Sequence, residues 1–89
     1  MKINNNFVLK TIAGEAVVMP VGEAVNKVKG MIKLNPTAEI IWKSLETDSS
    51  IDDVISAVRA QCQNIEETTI TEDVVSFVEK LEKLGIIEE

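Results

Sequence analysis

The chain has 89 residues, a length that suits one domain spanning residues 1–89 around a small core. It has no histidine and one cysteine, which excludes histidine-based catalysis, a structural zinc site within one chain and an internal disulfide; neither a metal nor another cofactor is expected. A net charge of −6, one tryptophan and no tyrosine disfavour nucleic-acid binding.

The chain also lacks the signals of export and membrane insertion. No apolar run approaches the roughly 18 residues that a membrane span needs, and the segment Met1–Asn6 has no apolar stretch of the kind found in signal peptides. The lone Cys62 fits a reducing compartment. The sequence therefore predicts a cytoplasmic binding or helper domain that is not an enzyme.

The first half of the chain predicts three short strands. Phe7–Ile12 is rich in β-forming residues and is followed by the turn signal Ala13–Gly14. Glu15–Met19 is a second apolar run, and residues 21–26 indicate a connecting loop. Val28–Leu34 is the third predicted strand, and the short connections indicate an antiparallel sheet.

Alternation within the third strand separates its side chains into two sets. Ile32 and Leu34 fall on one face with Val28, whereas Met31 and the lysines at 29 and 33 fall on the other. Because this strand follows the other two in the chain, we expect it to form an edge of the sheet that has no partner.

The second half of the chain predicts three helices. Asn35 is a good N-cap, and Pro36 suits the first helical position. Ser50 and Asp53 form a cap pair for the second helix. The apolar spacing predicts the core of these helices, with the two stripes formed by Ala38, Ile41, Trp42 and Leu45, and by Ile51, Val54, Ile55, Val58 and Cys62.

The third helix is amphipathic and acidic. Thr69 with Glu72 has capping-box spacing and predicts its start, with Thr71 as a rival cap, while Gly85 is placed to end it. Its apolar stripe is Val74, Phe77, Val78, Leu81 and Leu84. Residues 66–89 hold eight acidic and two basic residues, which is the whole charge imbalance. This segment and the lysines at 27, 29 and 33 are either solvated surface or the frame of a site for a charged partner.

The order of three strands and three helices, with certain short motifs, resembles the PqqD-like family of RiPP recognition elements. The motifs are Gly14–Pro20 in the second strand, Gly30–Asn35 running directly into Thr37–Trp42, and the closing segments Glu72–Val78 and Gly85–Ile87. Each motif is short, but their order and spacing cover nearly the whole chain.

This resemblance implies an α+β, winged-helix-like fold with a three-stranded antiparallel sheet followed by three helices. It also implies a function: such domains bind the leader segment of a ribosomally made precursor peptide and present it to a modifying enzyme, often a radical-SAM protein. In the family, the peptide adds as a further strand to the third strand, in a cleft bounded by the third helix.

The residues that this resemblance brings to a peptide site lie on those two elements. The apolar contacts are Met31 and Val75, with Val75 on one flank of the third helix beside two acidic residues. Ile32, Leu34 and Val78 join the set, although Ile32 and Val78 fit the core better than a binding site. The charged contacts are Lys29 and Lys33 toward acidic peptide groups, and Glu79 and Glu82 toward basic ones.

Two other functions remain open from the sequence. A structural adaptor in an enzyme complex would need no peptide ligand. A winged-helix DNA-binding protein is disfavoured by the acidic third helix, which would lie against phosphates, and by the linker 63–68, which is longer than the turn of a helix-turn-helix.

Overall fold

The computed structural model describes residues 1–26, 30–62 and 64–88. One antiparallel sheet consists of β2 (Phe7–Ile12), β3 (Glu15–Pro20) and β4 (Ile32–Leu34) in that order, and β1 (Lys2–Ile3) pairs with β5 (Ile87–Glu88) in a separate ribbon. The predicted three-stranded antiparallel sheet followed by three helices is confirmed. In chain order the elements are β1 (Lys2–Ile3), β2 (Phe7–Ile12), β3 (Glu15–Pro20), a 3-10 helix (Gly22–Asn26), β4 (Ile32–Leu34), α1 (Pro36–Leu45), α2 (Ile51–Gln61), α3 (Glu67–Lys83) and β5 (Ile87–Glu88).

A two-residue turn joins β2 to β3, as the sequence predicts. Ile12 pairs with Glu15, and the residues between them, Ala13 and Gly14, have φ values of 52° and 80°. Two successive positive φ values make this a type I′ turn, whose twist matches that of the flanking strands. Ala13 is therefore held in a left-handed conformation that its Cβ disfavours.

Replacing Ala13 by asparagine should stabilise the protein, because asparagine tolerates the left-handed conformation better and Asn-Gly is the favoured type I′ sequence. We expect about 0.5–1 kcal/mol of added stability, or a rise in melting temperature of about 2–8 °C by calorimetry. A second substitution in the same turn, Gly14→Ala, should lower the melting temperature. The cause would be backbone strain alone, since a Cβ at this position would meet open space. An unchanged or lower melting temperature for Ala13→Asn would contradict this account of the turn.

The caps predicted for α1 and α2 are confirmed. The Asn35 side chain accepts a hydrogen bond from the Ala38 backbone N–H at 2.8 Å. At α2, the Ser50 hydroxyl accepts from the Asp53 N–H at 3.1 Å, and the Asp53 carboxylate accepts from the Ser50 N–H at 3.0 Å. This reciprocal pair is a capping box in which aspartate takes the usual place of glutamate.

The predicted start of α3 is wrong. The helix begins at Glu67 rather than after Thr69, and within the described chain no side chain caps its first turn. Ile70 explains the earlier start, because it lies four residues before Val74 and is only 2% exposed. Residues 67 and 68, assigned to a linker from the sequence, belong to the helix.

The end of α3 follows the prediction. Gly85 has a φ of 73°, and a Schellman motif closes the helix: the Gly85 N–H donates to the Glu82 carbonyl, and the Ile86 N–H donates to the Leu81 carbonyl. Ile86 is then buried, and the next two residues form β5 against β1, a ribbon that the sequence does not predict.

Two loop and strand predictions need correction. The segment predicted as a loop over 21–26 contains the 3-10 helix Gly22–Asn26, with Ala24 in the core. The third strand is shorter than the predicted Val28–Leu34, because β4 covers only Ile32–Leu34 and Gly30 bends the chain with a φ of 88°. Residues 27–29 lie outside the described part of the chain.

One core joins the sheet to the three helices. The face of the sheet that carries Ala16, Val18 and Leu34 packs against the apolar faces of the helices. Trp42, the only tryptophan, is 1% exposed near the middle of this core. Across the described residues, no helix combines the length and the apolar character that a membrane crossing demands.

Candidate functional site

The site predicted from the sequence centres on β4 and its surroundings. In the described sheet β4 pairs with β3 on one side and with no strand on the other. We call that other side the β4 edge. An edge of this kind presents backbone N–H and C=O groups that a further strand can use.

The register of the sheet determines which residue presents those groups. The type I′ turn makes Ile12 and Glu15 a hydrogen-bonded pair, and such pairs recur at every second position along β2 and β3. The Val21 N–H donates to the Asn6 carbonyl at 2.7 Å, in keeping with this alternation. Val17 therefore directs its backbone groups toward β2.

The same alternation then passes from β3 to β4. Ala16 and Val18 direct their backbone groups toward β4, where they pair with Leu34 and Ile32. Lys33 lies opposite Val17, so its N–H and C=O point away from β3. Within the three residues of β4, the backbone of Lys33 is therefore the part that faces the β4 edge.

The edge ends abruptly beyond Leu34. The Asn35 carbonyl accepts a hydrogen bond from the Glu39 N–H at 3.0 Å, so it is already engaged as the first turn of α1. Pro36 follows and has no N–H to donate. A guest strand on this edge can therefore pair with β4 only over a short stretch.

Side chains on β4 fall on the two faces that the sequence predicts. Leu34 is buried in the core, Ile32 is half-buried against it, and Lys33 is exposed on the opposite face. The Lys33 ammonium lies 3.0 Å from a carboxylate oxygen of Glu15 on β3. Met31, just before the strand, is 58% exposed, the highest value among the large apolar side chains of the described residues.

On α3 the predicted residues separate into core and surface. Val78 is buried among the core side chains, whereas Val75 is 37% exposed and Glu79 and Glu82 are exposed. Helical spacing adds Glu72 to the same side, a residue that the sequence analysis did not include. We call Glu72, Val75, Glu79 and Glu82 the acidic flank of α3.

The predicted residues therefore divide by accessibility. Met31, Lys33, Val75, Glu79 and Glu82 are exposed, whereas Leu34 and Val78 belong to the core of the free protein and Ile32 is intermediate. Lys29 lies outside the described residues. Lys83 lies one helical turn after Glu79, but none of the described ion pairs joins the two residues. The Glu79 carboxylate is therefore available to solvent or to a partner.

A cleft of about 480 Å³ at the end of the sheet was not predicted from the sequence. Its apolar lining includes Leu34 and Ile40, and Lys33 and Glu15 contribute the ion pair described above. It is assembled from the β2–β3 turn, the end of β4, the first turns of α1 and the end of α2. Residues so distant in sequence carry no local signal of such a cleft.

Comparisons with known proteins support the same fold. The family model for coenzyme PQQ synthesis protein D (PqqD) matches residues 15–87. The solved structure of TbiB1 in complex with the TbiA(beta) leader peptide is similar, with 22% sequence identity and a TM-score of 0.75. That alignment covers 99% of this chain and 95% of the other. No curated protein matches.

Proposed function

The chain belongs to the family of coenzyme PQQ synthesis protein D, as the sequence resemblance predicted, and from this premise we propose that it binds the leader segment of a ribosomally made precursor peptide. It acts without catalysing a reaction itself. It presents the bound peptide to a modifying enzyme, for which the radical-SAM class is the expectation.

The backbone of Lys33 carries this proposal. Its N–H and C=O face the β4 edge, where a guest strand can exchange hydrogen bonds with them. The structurally similar TbiB1 was solved with a leader peptide bound, which supports a peptide as the guest. Strand addition takes its alignment and part of its affinity from such backbone bonds, and its selectivity and the rest of its affinity from side-chain contacts.

Exposed side chains supply the selective contacts in this proposal. Met31 lies beside the edge, and the acidic flank of α3 offers Val75 between carboxylates. In the family the guest lies between the third strand and the third helix, so we assign Met31 and Val75 to apolar guest residues. Lys33 is assigned to acidic guest groups, and Glu79 and Glu82 to basic ones.

An NMR titration tests the proposal. The labelled protein is titrated with synthetic leader segments from short open reading frames that neighbour its gene, and we expect one of them to bind with a dissociation constant of about 1 μM or lower. Amide shifts should concentrate in residues 31–34 and 72–82, while those of α2 stay nearly unchanged. No binding of the leader, combined with stable association with a large enzyme, would favour the structural adaptor instead.

A charge placed on the exposed flank of α3 should weaken the peptide complex. We expect Val75→Glu to reduce leader affinity about tenfold or more, because it replaces an apolar contact with a carboxylate that must be desolvated. Isothermal titration calorimetry measures the change. Ser76→Glu is the matched control, since it adds the same charge to an exposed neighbour on another side of the helix. Equal affinities for the two variants would remove Val75 from the site.

A further inference from the structure

The face of the sheet opposite the helices is partly apolar. Its central residue is Val17, whose partners in the register are Lys10 on β2 and Lys33 on β4. Val17 is 5% exposed yet lies apart from the main core cluster of the described residues. Neighbours across strands lie about 5 Å apart, so the aliphatic stems of both lysines border it.

Other side chains extend this surface. Ile12 is 46% exposed at the end of β2, and Met19 is half-buried on β3. Glu15 lies on the same face and pairs with Lys33. We call the seven residues Val8, Lys10, Ile12, Glu15, Val17, Met19 and Lys33 the outer sheet face.

We propose that the outer sheet face is the docking surface for the enzyme that modifies the bound peptide, and that this enzyme contributes an apolar surface bordered by carboxylates. The inference rests on the proposed function, since it assigns the place where the peptide is handed over. It assigns residues that the peptide site does not use, apart from Lys33.

Charge supports a partner that carries carboxylates. The outer sheet face has two lysines against one glutamate, and Lys10 takes no part in any of the described ion pairs. The acidic flank of α3, by contrast, repels a negatively charged partner. An enzyme with an acidic border is therefore directed toward this face.

The size of the face supports a transient partner rather than a permanent one. Three strands about 5 Å apart and up to six residues long cover roughly 300 Å², well below the ~800 Å² that each partner contributes to a standard stable interface. A stable pair of copies is therefore disfavoured. An enzyme that also holds the captured peptide gains effective concentration from that link, so a small contact suffices.

A guest strand on the β4 edge would extend this same face. The guest residue opposite Lys33 directs its side chain to the face on which the Lys33 side chain lies. Alternate guest side chains would thus emerge beside the docked enzyme, whereas the others face the helices. The outer sheet face and the peptide edge therefore form one continuous surface.

The test uses variants outside the peptide edge. The enzyme used is the one that modifies the leader-bearing precursor identified by the titration. Ile12→Glu and Lys10→Glu should each weaken its binding by about tenfold or more, measured by biolayer interferometry, and slow modification of the precursor accordingly. Thr11→Glu is the matched control, because Thr11 is exposed on the same strand but belongs to the other face. Circular dichroism checks that every variant is folded.

The outcomes separate this inference from the proposed function. Unchanged leader affinity with enzyme affinity lost only in Ile12→Glu and Lys10→Glu supports the docking surface. If both variants bind the leader and keep full affinity for the enzyme, the docking surface is overturned and the proposed function stands. The same conclusion follows if the variants change the oligomeric state of the protein but not its affinity for the enzyme. Absence of leader binding to the unaltered protein overturns both.

Discussion

Lys33→Pro should abolish most peptide binding while leaving the domain folded. Proline has no N–H, and at this position the lost N–H faces the β4 edge rather than β3. The pyrrolidine ring also fills space that a guest carbonyl would occupy. We expect the lost N–H and the added ring together to lower leader affinity about 30-fold or more, measured by calorimetric titration.

The fold should tolerate this proline. Its fixed φ of about −65° is compatible with an edge strand, and the extended conformation it imposes on the preceding residue is the one Ile32 already has. Lys33→Val is the matched control, because it removes the same side chain and the ion pair with Glu15 but keeps the N–H. If the valine and proline variants bind equally, the β4 edge is not where the peptide pairs.

Trp42→Ala should destabilise the protein more than any surface change. Trp42 is buried in the core shared by sheet and helices, and truncating a large aromatic side chain in such a place costs about 3–5 kcal/mol. A domain of this size has about 5–15 kcal/mol of stability in total. We therefore expect a large fall in the urea concentration at the midpoint of unfolding. Circular dichroism monitors the unfolding, because the variant has no tryptophan for fluorescence.

Two companion variants calibrate that result. Trp42→Phe keeps an aromatic ring in the same space and should lose much less stability than the alanine variant. Ser56→Ala changes an exposed position on α2 and should stay within about 0.5 kcal/mol of the unaltered protein. A loss below about 1 kcal/mol for Trp42→Ala would mean that this ring is not the anchor of the core.

The helical half of the fold follows closely from local chemistry. The caps of α1 and α2 use hydrogen bonds between residues three positions apart, so the sequence alone identifies Asn35 and the pair Ser50 and Asp53. Gly85 likewise marks the end of α3 through its positive φ. These signals are short-range and depend little on the rest of the chain.

The start of α3 shows where such signals mislead. Thr69 and Glu72 have capping-box spacing, yet burying Ile70 stabilises a helix that begins three residues earlier without a side-chain cap. The spacing of Ile70 to Val74 was present in the sequence and extends the apolar stripe back by one turn. Burial of a large side chain outweighs the roughly 1 kcal/mol that a cap contributes.

The number and order of the strands in the three-stranded sheet could be predicted from the sequence, but the exact bounds of the strands could not. Alternation gave the faces of Lys33 and Leu34 correctly, whereas the bend at Gly30 shortens the third strand. The β1–β5 ribbon joins residues 2–3 to 87–88, and strands of two residues have no periodicity to detect. For the candidate site, residue type could suggest Met31 and Val75, but the outward direction of the Lys33 backbone required the register.

The brevity of β4 has a consequence for how discriminating the protein must be. One residue facing outward gives a guest two main-chain hydrogen bonds, together about 1–3 kcal/mol, whereas a micromolar complex needs about 8 kcal/mol. Most of the binding free energy must then come from the guest's own side chains. Extended chains without matching side chains, including those of misfolded proteins, would gain too little binding free energy to remain bound. The short β4 edge therefore excludes non-specific strands that a longer edge would bind.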